Sequence, residues 1–163
     1  MYQPYPKAGA QEAPPERPQA PRSVLNAVKL MYAGAGLSAI EVIISLALIG
    51  GVHNAIRKAR PHLSAVKIHD LVVADVVGTV FIGLVGVALW IVMARTNAAG
   101  RNWARIVASV LFGVNTIGLL LGLRRLSTGL GIGVVLDVVG WLIGLGAIIF
   151  LWRKESSTYF QQG

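Results

Sequence analysis

The sequence predicts an all-α fold, an integral membrane four-helix bundle, and three observations carry that prediction. Four long apolar stretches, Val28–Gly51, Ile68–Met93, Asn102–Leu123 and Gly129–Trp152, are each long enough to cross a bilayer as a helix. Of the 163 residues, 55% are hydrophobic and only 13% are charged, about half the charged share of a soluble domain. No connection between the stretches is long enough to form a separate domain. Helices are required because lipid offers backbone amides no partner, and the short alternating segments of a membrane β-barrel are missing.

In chain order, residues 1–25 read as a disordered, Pro-rich cytoplasmic tail. Its first 22 residues hold six of the seven prolines and no apolar core, so the segment suits polyproline-II and not a signal peptide. Residues 26–153 form the four-helix transmembrane domain. Its longest connection, Val52–Lys67, contains Pro61 and reads as an amphipathic or coiled surface segment. The turn Arg124-Arg125-Leu126-Ser127-Thr128 is tight, which makes spans three and four antiparallel neighbours. Residues 154–163 read as a short cytoplasmic tail.

The net charge is +8. The Lys and Arg residues flank the spans, where they meet anionic headgroups, and this placement excludes nucleic acid as a partner. With both termini cytoplasmic, inner segments hold nine positive residues and outer segments six. The positive-inside rule therefore favours that topology in the plasma membrane. Trp90, Trp103 and Trp152 are expected at the inner boundary, and Trp141 in a helix groove or against lipid. With no cysteine, disulfides and thiolate ligation are excluded, and no cofactor is implied.

Span two contains Asp75-Val76-Val77-Gly78 and span four Asp137-Val138-Val139-Gly140, each followed by a tryptophan fifteen residues after the aspartate. The repeated word suggests two related antiparallel hairpins, with chance recurrence of Val and Gly as the rival explanation. Gly118 and Gly122, Gly129 and Gly133, and Gly140 and Gly144 are spaced for close helix approach. The run Gly129–Gly133 follows no strand, so it does not read as a nucleotide-binding loop.

Each span carries one strongly polar side chain: Glu41, Asp75, Asn115 and Asp137. Glu41 and Asn115 each lie thirteen residues into an outward span, about 20 Å from the inner edge. Asp75 and Asp137 lie seven and eight residues into inward spans, about 10–12 Å from the outer edge. A shared level between the midplane and the outer third is expected. An intramembrane carboxylate is costly, so the layer either fixes helix register through hydrogen bonds, forms a proton or cation site, or faces a partner protein. His53, His62, His69 and Asp70 gather near the outer mouth of span two and offer a weak metal possibility.

The connection from Arg95 to Arg105 places Gly100 for a tight turn and Asn102 for a helix cap. Trp103, Arg101 and Arg105 are expected to anchor it at the headgroups. Through Asn97, Gly100, Arg101, Trp103, Ala104 and Arg105 the sequence resembles a group of small four-span membrane proteins of actinobacteria. That group has a Pro-rich tail and an Asn-x-x-Gly-Arg-x-Trp-Ala-Arg corner between spans two and three. The resemblance implies an inner location for this corner and carries over no catalytic residue, substrate or cofactor.

No arrangement of nucleophile and base, and no metalloprotease motif, is present, so an enzyme is not expected. The expected function is a scaffold or accessory subunit of a plasma-membrane assembly, as a homo-oligomer or within a larger complex. The alternative is a small proton- or cation-conducting oligomer that uses the intramembrane carboxylates.

Overall fold

The computed structural model describes residues 19–123 and 132–161. The expectations for most of the Pro-rich tail, for the turn at Arg124–Thr128 and for Gly129 lie outside the described residues. Six helices form: α1 (Arg22–Ala47), α2 (Ile49–Ala59), α3 (Ala65–Ala98), α4 (Asn102–Leu123), α5 (Ile132–Leu151) and α6 (Lys154–Gln161). α1, α3, α4 and α5 are long and apolar enough to cross a membrane, so the chain is a multi-pass, all-helical membrane protein.

Local chemistry explains where these helices start and stop. Pro21 precedes α1 in an extended conformation and its carbonyl accepts from Leu25 N–H; proline is tolerated there because a first-turn N–H has no helical partner. At Leu48 the backbone leaves helical geometry for one residue, and the chain continues as amphipathic α2. Pro61 lies in the following turn, and the Ser64 hydroxyl caps α3 by accepting from Lys67 N–H. α3 ends in a paired-hydrogen-bond cap: Arg101 N–H reaches Thr96 C=O at 3.3 Å and Gly100 N–H reaches Asn97 C=O at 3.0 Å. Gly100 has φ +73°, the left-handed conformation that this cap requires. Asn102, expected as a cap, is instead the first residue of α4, one position after the Arg101 carbonyl that receives Ala104 N–H.

α1 is the central helix, packed against both α3 and α5, while α4 packs on α5 and α2 on α3. Glycines set the register. A Cβ at Gly34 would meet the Trp90 indole at 2.8 Å, and one at Gly83 would overlap the Val42 side chain; α1 and α3 are therefore antiparallel. Leu37 lies against Gly140 and Leu30 against Gly146, which makes α1 and α5 antiparallel too. α4 and α5 are tied by Trp141 Nε1 donating to Thr116 Oγ1 at 2.9 Å and Trp152 Nε1 donating to Ser109 Oγ at 2.9 Å. Phe112 lies against Trp141 with ring centroids 5.6 Å apart, so Trp141 sits in a helix groove.

The same contacts correct the expected position of Trp90. It is half-buried between α1 and α5, because Gly34 and Gly144 leave room for its ring. Measured along α1, Trp90 lies opposite Gly34, whereas the Leu30–Gly146 register puts Trp152 opposite Val24. The two tryptophans thus differ in level by ten residues, about 15 Å. Trp103 and Trp152 are exposed at the end of the bundle that carries α6.

The dense core also lies at that end. Val24, Ala27, Met31, Met93, Ala94, Ala108, Ala147, Leu151 and Phe160 form one buried cluster. Phe160, from the expected C-terminal tail, is 2% exposed and packed within it.

Candidate functional site

Glu41 and Asp137 come together on neighbouring helices. Leu37 contacts Gly140, and one turn further along antiparallel α1 and α5 stand Glu41 and Asp137. Glu41 is half-buried and Asp137 exposed at its rim. Among the described residues no ion pair neutralises either group.

Asp75 stands elsewhere. It is exposed on α3, and the Val42–Gly83 register puts it opposite residues 49 and 50, about 14 Å along the axis from the Glu41 level. It precedes Arg95 by twenty residues, about 30 Å of helix, which is the thickness of the hydrocarbon core.

Asn115 is exposed on α4 beside Thr116, which receives the Trp141 indole N–H. That contact puts it four to five residues, about 7 Å, from the level of Asp137. Its side chain forms part of the wall of a cleft of about 380 Å³. α3 and α4 meet sparsely, and the cleft opens between them. Ile82, Leu89 and Trp90 line one side, Phe112 and Val114 the other, with Gly140 and Gly144 on the floor. Asn115 is the one strongly polar side chain among the described lining residues. The volume suits the side chains of one helix face or a small apolar molecule.

The three expected anchors divide. Arg101 and Trp103 are exposed at the α3–α4 turn. Arg105 turns inward: its Nη1 donates to Ser157 Oγ at 3.1 Å, and its guanidinium lies 4.5 Å from the Trp152 ring and 5.3 Å from Phe160. Stacking on aromatic faces suits a guanidinium better than an ammonium. His53, His62, His69 and Asp70 are all exposed near the α2–α3 connection. Among the described residues no three His, Asp or Glu side chains gather at metal-binding distance.

Sequence reasoning missed the group around α6. Tyr159 Oη donates to Ala98 C=O at 2.9 Å, and Ser156 Oγ lies 2.8 Å from Ser23 Oγ while donating to Phe150 C=O at 2.7 Å. Asn97 is fully buried; its Nδ2 donates to Met93 C=O at 2.8 Å, and its Oδ1 has no partner. The only sequence signal was an aromatic pair, Tyr159-Phe160, at the end of a polar segment. No family model, curated protein or solved structure matches the chain.

Proposed function

We propose that this chain is a non-catalytic scaffold or accessory subunit of a plasma-membrane assembly. In this reading both termini face the cytoplasm and a membrane-embedded partner occupies the α3–α4 cleft. The observation that carries it is Asn115. An exposed amide at hydrocarbon depth, with no hydrogen-bond partner among the described residues, is costly against lipid. Apolar surface alone would give a partner no advantage, since lipid tails are as apolar as leucine. A hydrogen bond to Asn115 from a helix seated in the cleft would favour that helix over lipid. The partner is a second copy of the chain or another subunit. Arg101 and Trp103 anchor the assembly at anionic headgroups.

The test is particle mass in nanodiscs for the parent chain and Asn115→Leu. Loss of the larger species in Asn115→Leu is expected. An unchanged mass distribution would contradict the reading.

A second reading is favoured by the Glu41–Asp137 pair. Two carboxyl groups at one level of the spans call for a shared proton, a cation or a partner's positive group. A small conducting oligomer would use that site. Proton or cation flux into liposomes should then fall at least tenfold in Glu41→Gln and Asp137→Asn, a loss of about 1.4 kcal/mol or more. Equal flux in parent and variants eliminates conduction through this pair.

A further inference from the structure

We propose that α6 is a clasp: docked across the α3–α4 turn and the start of α1, it sets the width of the cleft. α1 packs closely on both α3 and α5, while α4 is attached to that group chiefly through α5. Along the cleft α3 and α4 meet sparsely, so their separation is governed at the end where they connect. There α6 grips both. On the α3 side, Tyr159 Oη holds the Ala98 carbonyl, and the tyrosine ring lies so close over Gly100 that a Cβ would meet it at 3.0 Å. On the α4 side, Ser157 accepts from Arg105, whose guanidinium lies over Phe160. Phe160 itself is buried with Met93 and Ala94 of α3, Ala108 of α4 and Val24 of α1. Ser156, buried against Ser23, completes the attachment to α1.

A helix of eight residues is not stable alone in water, so α6 is helical because it is docked. Arg105 Nε, beside the docked Phe160, and Asn97 Oδ1 are buried without partners, and each unsatisfied group offsets part of what burying Phe160 contributes. The element therefore has two accessible arrangements, docked and released. Release removes the tie between the Ala98 carbonyl and Arg105, and α4 is then free to swing from α3 about its contact with α5.

The clasp rests on the subunit reading only for what enters the opened cleft. Its test needs no partner, so the two can fail separately. The chain has no cysteine, so Ile82→Cys with Val114→Cys gives one spin-labelled pair across the cleft, and Thr158→Cys reports on α6. Both are measured on the full chain in nanodiscs, with Phe160→Ala and the milder Tyr159→Phe as releasing variants. The expected result is a mobile label at Thr158 together with a broader distance distribution, longer by at least about 2 Å, and smaller changes in Tyr159→Phe. A mobile Thr158 label with an unchanged distance across the cleft would overturn the clasp. So would an immobile label in both variants.

Discussion

Gly34 and Gly36 stand two residues apart on α1 and face different surroundings. The Trp90 indole fills the space where a Gly34 side chain would project, while nothing lies within 4 Å of a Cβ at Gly36. Gly34→Ala should destabilise the bundle by about 1–3 kcal/mol through overpacking. Gly36→Ala should be neutral or stabilising by up to about 1 kcal/mol, because alanine is the better helix former. Unfolding titrations in mixed micelles check the contrast; equal effects would mean that Trp90 does not pack on Gly34. At the same scale Asn115 and Asp75, both polar and both exposed, differ in position. Along the bundle axis Asp75 lies beyond the level of Glu41, whereas Asn115 lines the cleft.

At the scale of elements, the aromatic ties between α4 and α5 place one wall of the cleft. Trp141→Phe keeps the ring against Phe112 but loses the hydrogen bond to Thr116. A loss of about 0.6 kcal/mol is expected, the average for such a bond between membrane helices; no loss in the same titration would assign the contact to packing alone. The four spans were legible in the sequence, since twenty-residue apolar runs have one solution in lipid. So was the end of α3, because Gly100 is the residue type that a left-handed cap position selects. The level of Asp75 relative to Glu41 was not legible. Level was reckoned from the edge of an apolar stretch, but α3 has 34 residues, about 51 Å, so that edge does not fix its register against α1. Its register came instead from tertiary fits at Gly34 and Gly83. α6 was hidden for a related reason: Lys154 to Thr158 are polar, and Phe160 is apolar surface only a folded bundle can use.

For the whole molecule, packing is uneven. Side chains interlock at the α6 end, while α3 and α4 part toward the other end and expose small and polar residues between them. A bundle sealed for its own sake would bring α3 and α4 together over the cleft and leave no amide on its wall. The open arrangement suits a chain completed by another one. The most direct measurement is disulfide or bifunctional cross-linking of the single-cysteine variant Val114→Cys, on the cleft wall beside Asn115, in intact membranes. A cross-linked product well above the 17.3 kDa chain, absent when the cysteine is placed instead at exposed Val66, is the expected result. Val114→Cys that remains monomeric under conditions where it reacts fully with a membrane-permeant thiol reagent would contradict it.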